Sequence, residues 1–422
     1  MTGASVGGYP AERWLTMATN PPFEGCRSTR DRDYRLLMAT GASRVGQALD
    51  AVERAAKTAE TADELLEGVS RALHKTVPYD GATYFGVDPV TLLATAPSRV
   101  EGLDDGYCDI YWHLEFHEQD TGLFSDLARG DGVSALRLAL DDRPARSIRY
   151  REFMKPQGYD DELRAVFRNS DNVWGVVGLY REASRPAFDE DDLSVMSAVS
   201  PVVANALRKY VRDTSPWLGQ PSAPGLVVID RDGKVVSANA EALSWLRELW
   251  PMSPATAELD IDSLDVFALR DQDFEVPTAL FALVSRARAV AEGRERAPAR
   301  LRLPDRRGRW IVLHASPLAG PGSPDGGSVA VVIEAAKSAE VAPIIIEAYS
   351  LTARERDVLG AIARGGSTAE IAAELFLSPH TVRDHVKAVF EKLGVSSRGE
   401  LVARVFGEHY TDRLHETMVH AD

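Results

Sequence analysis

Arg383 and Lys387 lie four residues apart in the stretch Pro379 to Leu393, and His380 and Asp384 fall on the same helical side. Val382, Val386, Val389, Phe390 and Leu393 fall on the other side, so the spacing predicts an amphipathic helix with cations facing outward. Such a helix suits the major groove of DNA, where guanidinium and ammonium donors meet guanine O6 and N7. Asp384 departs from a purely basic face. A carboxylate there accepts from cytosine N4, or repels phosphates contacted without regard to sequence.

A second group is less specific. Cys108, His113 and His117 sit close together, and the two histidines share a face if the segment is helical. The spacing is generic and no second ligand pair accompanies it, so no metal site and no cofactor are assigned. Tyr107, Tyr111, Trp112 and Phe116 surround the group. They are either core aromatics or the wall of a small-molecule pocket, and the pocket is where a ligand is expected. His314 falls on an expected strand as an ordinary core or edge histidine. No Gly-x-Ser-x-Gly, His-Glu-x-x-His or coherent acid/base pair occurs, so the chain is not expected to be an enzyme. The lack of Gly-x-x-x-x-Gly-Lys-Ser/Thr argues against an ATPase-coupled regulator, and no phosphoacceptor receiver pattern is found.

The 422 residues suggest two or three domains. A net charge of −15 is unlike a chain coated for nucleic acid. The charge is uneven, however. Residues 351–406 hold eight Lys or Arg against seven Asp or Glu, a balance of +1 that leaves −16 elsewhere. Two cysteines cannot form a disulfide framework and point to a reducing compartment. Without a signal-peptide pattern or a long apolar stretch, a cytoplasmic protein without a membrane partner is expected.

The elements that must position these residues follow from capping and periodicity. Residues 1–33 lack periodicity and are expected to be a disordered leader. Helices over Val45 to Leu73, the second opened by Thr61-x-x-Glu64, precede strands at Ala82–Val87, Leu163–Phe167 and Val173–Leu179 and a closing helix over Asp189 to Val211. This gives an α+β domain over 44–212. A Pro/Ser/Gly linker, 213–224, leads to a second α+β domain over 225–335. It comprises a hairpin at Leu226–Val236, helical pieces from Asn239, and strands Ala299–Leu303, Trp310–Ala315 and Ser328–Glu334. A loop Pro317–Gly327 joins the last two strands, and Trp245, Trp250 and Trp310 pack the core. A helical connector, 336–349, enters a four-helix domain over 350–410, followed by a tail, 411–422. Thr352-x-x-Glu355, Ser367-x-x-Glu370, Ser378-Pro379 and Ser397-x-x-Glu400 each mark a helix start in that domain.

Leu351-Thr-x-Arg-Glu355, Ser367-Thr-x-Glu-Ile-Ala372, Ser378-Pro-x-Thr-Val-Arg-x-His-Val386 and Lys392-Leu-Gly-Val-x-Ser-Arg398 resemble the LuxR-type helix-turn-helix over about 56 residues. The resemblance implies a reading helix with Arg383, Asp384 and Lys387 toward base edges. It also implies Thr368, Thr381 and Lys392 toward phosphates, His385 as a packing or phosphate-side residue, and a dimerising last helix bearing Leu401, Val402 and Val405. Tyr79-Asp-Gly-Ala-Thr-Tyr84, Val173-Trp-Gly-Val-Val-Gly-Leu179 and Phe188-Asp-Glu-Asp-Asp-Leu193 resemble a GAF domain. Gly225-Leu-Val-Val-Ile-Asp-Arg-Asp-Gly-Lys-Val-Val-Ser-Ala-Asn239 resembles a PAS domain. The expected fold is multidomain, two α+β sensor domains (GAF-like and PAS-like) before an all-α four-helix helix-turn-helix. The expected partners are double-stranded DNA at operator half-sites, a second copy of the chain, a small-molecule effector and RNA polymerase. The alternative is a metal, redox or protein-partner sensor, with the N-terminal domains carrying the main activity and DNA binding secondary.

Overall fold

The computed structural model describes residues 29–104, 107–169, 172–213, 223–249, 277–305, 309–320 and 323–406. Trp250 and both flanking tails beyond these limits lie outside the described residues, as does most of the expected linker.

Helix α1 runs Thr29–Thr58, starting well before Val45, and α2 runs Ala62–Thr76. Thr61 caps α2 as expected, accepting from the Glu64 amide at 3.2 Å. Five strands follow: β1 (Gly81–Val87), β2 (Ala94–Glu101), β3 (Val133–Ala135), β4 (Tyr159–Asn169) and β5 (Asn172–Glu182). They form one antiparallel sheet in the order β2-β1-β5-β4-β3. Helix α3 (Cys108–His117) and two short helices, α4 (Phe124–Arg129) and α5 (Leu136–Ala139), lie between β2 and β4. Helix α6 (Glu190–Asp213) closes the domain. Residues of β1 and β5 are buried on both faces, because α1, α2 and α6 share one cluster with one face while α3 shares the cluster of the other. That explains their near-continuous apolar runs. Strand β2 escaped sequence reading, since Pro97, Ser98 and Arg99 interrupt any apolar alternation.

The second sheet repeats the strand order as β7-β6-β10-β9-β8. Its members are β6 (Gly225–Ile229), β7 (Val235–Ala238), β8 (Arg300–Pro304), β9 (Trp310–Gly320) and β10 (Ser323–Ala335), with α7 (Ala240–Leu249) and α8 (Thr278–Ala291) between β7 and β8. The Pro317–Gly327 segment is largely strand rather than loop. Pro317 and Leu318 pair with Val329 and Ser328, and the irregularity is confined between Ser323 and Ser328. Trp245 and Trp310 are buried.

The two sheet domains meet along α3 and α8. Ser285 Oγ donates to the Trp112 carbonyl at 3.1 Å, and His117 Nε2 lies 3.0 Å from the Ser285 carbonyl. The Arg286 guanidinium stands 4.3 Å from the Phe116 ring centre. Beside this seam, buried Arg302 clasps Asp88 with two 2.9 Å bonds.

Helix α9 (Ser338–Ala348) then leads to α10 (Ala353–Ala363), α11 (Thr368–Glu374), α12 (Pro379–Leu393) and α13 (Arg398–Phe406). Every start signal read from the sequence is used. Thr352 and Ser367 complete reciprocal capping boxes with Glu355 and Glu370, and Ser378 accepts from the Thr381 amide at 3.1 Å. Ser397 accepts from the Glu400 amide at 3.1 Å.

Candidate functional site

The apolar stripe of α12 buries Val382, Val389 and Leu393, so rotation about the helix axis is fixed and the opposite face turns to solvent. His380, Arg383, Asp384 and Lys387 are all exposed on that face. His380 Nδ1 sits 2.9 Å from the Asp384 carboxylate, one turn along. Lys387 Nζ is 3.8 Å from Glu391, both ends largely solvated. Arg383 has no ion-pair partner among the described residues, so its guanidinium extends from the middle of the face.

The remaining expected contacts are engaged inside the domain. Thr381 Oγ1 shares a 2.9 Å hydrogen bond with the Ser378 cap, and Thr368 Oγ1 accepts from Arg398 Nη2 at 3.0 Å. Lys392 Nζ donates to Glu355 at 2.6 Å and to the Ser350 carbonyl at 3.1 Å. Burial alone would raise the Glu355 carboxyl, but the bonds from Lys392 and Thr352 outweigh it and hold the group below its ordinary range. Lys392 therefore ties α12 to the capping box of α10. His385 is half-buried.

Helix α13 presents Leu401 and Val405 inward, where both are buried within the chain's own core, while Val402 is half-buried. Its neighbours are α9 and α10. Glu347 of α9 links three elements: it accepts from Asn172 of β5 at 2.6 Å and from Arg356 of α10 at 2.7 Å. Of the positions expected to meet a second copy, Leu401 and Val405 are thus covered in this arrangement and Val402 only in part.

In the first domain, the four expected pocket aromatics come together but divide by depth. Tyr111 and Trp112 are buried and Tyr107 and Phe116 half-buried. Tyr111 packs on Phe153 with centroids 5.3 Å apart, and Trp112 stacks on Phe116 at 5.9 Å. Polar groups that sequence reading did not single out lie beneath them. Thr83 of β1, Gly178 of β5 and Arg164 of β4 stand directly opposite one another across three strands, hence on one face. A methyl on Gly178 would meet Tyr180 Oη at 2.7 Å and Thr83 Oγ1 at 2.9 Å. The absence of a side chain at Gly178 is what lets both hydroxyls pack against this point of the sheet.

Arg164 is fully enclosed, bonded to Glu115 at 2.8 Å and lying 3.6 Å from the Phe124 ring centre. Arg149 bonds Glu162 at 2.7 Å in the same interior. The hydroxyls of Thr83, Tyr111 and Tyr180 face one another without reaching normal hydrogen-bond geometry, and Arg164 Nε faces Glu162 Oε1 at 3.6 Å, an ion pair beyond hydrogen-bond distance. Burial raises both tyrosines, so each remains a protonated phenol able to donate. No alternation signal marks this cluster, because register, not sequence neighbourhood, assembles it.

His113 and His117 do share a face, with rings stacked at 4.5 Å. His117 is committed to the seam with α8, 3.1 Å from Glu292. Burial, then the neighbouring His117, lowers His113 below its ordinary value. His314 is half-buried on β9 near Glu334 and Glu340. No group of three or more metal-ligating side chains occurs among the described residues, and no helix among them is long and apolar enough to cross a membrane.

Residues 349–405 match the family described as GerE, bacterial regulatory proteins of the luxR family. Among similar curated proteins, the probable transcriptional regulatory protein NarL of Mycobacterium tuberculosis is 46% identical over 76 residues, which is 18% of this chain and 32% of that one. The transcriptional regulatory protein UhpA of Escherichia coli is 54% identical over 56 residues, 13% of this chain and 29% of that one. The chain thus spans a third or less of the length of these relatives. A solved GAF domain from a Coxiella burnetii phosphoenolpyruvate-protein phosphotransferase aligns with 40% of this chain and 95% of its own. At 16% identity and a TM-score of 0.29 it carries no weight on the fold.

Proposed function

We propose that this chain, whose residues 349–405 form a LuxR-family helix-turn-helix domain, is a dimeric, sequence-specific transcription regulator. Its GAF-like and PAS-like α+β domains govern how that domain meets DNA. One observation carries the reading: α12 is capped, its apolar stripe is buried, and its opposite face holds Arg383 and Lys387 in solvent. A domain with a balance of only +1 binds DNA weakly by itself, so two copies on adjacent half-sites supply the affinity by effective concentration. Coverage of α13 by α9, with Glu347 bridging to β5 and α10, supports dimer formation as the regulated step. The buried hydroxyls beside the α3 aromatics support a small neutral effector. Arg149 and Arg164 are already matched by Glu162 and Glu115, which leaves hydroxyl groups for recognition.

Genome-wide occupancy of the tagged full chain beside its Arg383→Ala/Lys387→Ala variant tests the reading. Sharp peaks sharing an inverted repeat are expected for the wild type and none for the variant, because each lost contact weakens binding by about 1–3 kcal/mol. Both proteins should melt at the same temperature, the two side chains being solvated. Regulation that persists after the variant loses occupancy would overturn the direct mechanism.

A further inference from the structure

Three helices of the DNA-binding domain end in the same backbone motif, and one of them carries an unexpected residue at its turning point. Gly366 N bonds the Ala361 carbonyl at the end of α10, Leu377 N bonds Ala372 at the end of α11, and Val395 N bonds Phe390 at the end of α12. Each is the six-to-one bond of a Schellman turn, which places the preceding residue in the left-handed region. Gly365 (φ +85°) and Gly394 (φ +63°) hold that place after α10 and α12, and Phe376 (φ +57°) holds it after α11. A bulky side chain there crowds its own backbone, which glycine avoids.

Nothing in the fold compensates. Phe376 is 95% exposed, against 55% for Val90, the next most exposed large apolar side chain among the described residues. Leu92 is the other bulky apolar residue in this conformation among the described residues, and it packs against a buried core. A strained, solvated phenylalanine detracts from the stability of the free chain, and outliers of this kind gather where binding occurs.

Phe376 also lies two residues before Ser378, the cap of α12. In a helix-turn-helix the N-terminal end of the reading helix approaches the base edges, so the turn that carries Phe376 leads directly into the end of α12 that enters the groove. We propose that Phe376 is an apolar DNA contact, set against thymine methyl groups or deoxyribose carbons at the rim of the groove entered by α12. The inference rests on the DNA-binding reading above. It adds an apolar determinant outside the reading helix to the cations that helix supplies.

The experiment uses the full chain and DNA that wild type selects from a random-sequence pool. Phe376→Gly and Phe376→Asn, both compatible with a left-handed residue, are compared by melting and by titration onto the selected duplex. Each variant should melt no lower than wild type yet bind about tenfold more weakly, the loss expected for an apolar side chain left in water. Repeating the titration with uracil for thymine separates the two DNA sources. Weaker wild-type binding identifies methyl contacts, and unchanged binding identifies the sugar. If both variants bind the selected DNA as tightly as wild type, the proposal is wrong. If they also lose promoter activation, the side chain faces a protein partner. A wild type that selects no sequence removes the DNA-binding reading itself, and the proposal falls with it.

Discussion

The first sheet domain and the DNA-binding domain are held together by opposite means. The sheet domain encloses its charge: Arg164 and Arg149 lie in the interior with Glu115 and Glu162, 2.8 and 2.7 Å away. The DNA-binding domain keeps nearly all of its charge outside, Glu355 excepted, and secures each helix at its ends, through capping boxes and left-handed terminal turns. Enclosed ion pairs offset their desolvation only while both partners remain, so the first design has two discrete conditions, intact or broken. Capping is local and graded, which lets short helices hold a fixed face toward a ligand without a large core. Anything inserted among those paired charges would have to rearrange them together. A DNA-reading module gains from the second design.

This contrast is sharpest at Arg164. Arg164→Met leaves Glu115 buried without its cation and should lower unfolding free energy by about 3–5 kcal/mol, read by denaturant titration of the full chain. Adding Glu115→Leu should recover much of that loss. A single variant as stable as wild type would break the comparison. A smaller effect is expected at a helix start: Ser378→Ala removes the side-chain bond to the Thr381 amide and should cost about 1 kcal/mol. It should also weaken DNA binding, because α12 frays at its reading end.

The smallest effect concerns the one enclosed carboxylate of the DNA-binding domain. Glu355 is held below its unfolded value, so its contribution is complete above about pH 4.3 and fades as pH falls through the folded value. Lys392 is about a third exposed, so solvent screens the pair and Lys392→Met should cost below about 1 kcal/mol near neutrality. The difference between wild type and variant should shrink on acidification. Melting curves at neutral pH and near pH 3 check it, and a difference that grows in acid would reverse the assignment.

The helix-turn-helix was legible because its information is local. A cap lies within three residues of the amide it serves, and an apolar stripe repeats within two turns, so Thr352, Ser367, Ser378 and Ser397 could be placed from sequence alone. The same logic placed β1, β4 and β5 and the hairpin of the second sheet. It failed at β2, where no alternation survives, and at Pro317 and Leu318, where pairing with β10 carries a turn-like composition into a strand. The tyrosines and tryptophan of α3 were visible as a group, but which of them are buried was not.

By itself, then, the sequence determined where the helices of the DNA-binding domain begin and which face of α12 is cationic. Tertiary structure decided the rest. Sheet register set Thr83, Gly178 and Arg164 in one row, although they lie far apart along the chain. Packing committed Lys392 to Glu355, covered Leu401 and Val405 with the chain's own helices, and left Phe376 almost wholly in solvent. Contacts between residues close in sequence are fixed by spacing, whereas contacts between distant residues depend on a geometry that exists only once the chain has folded.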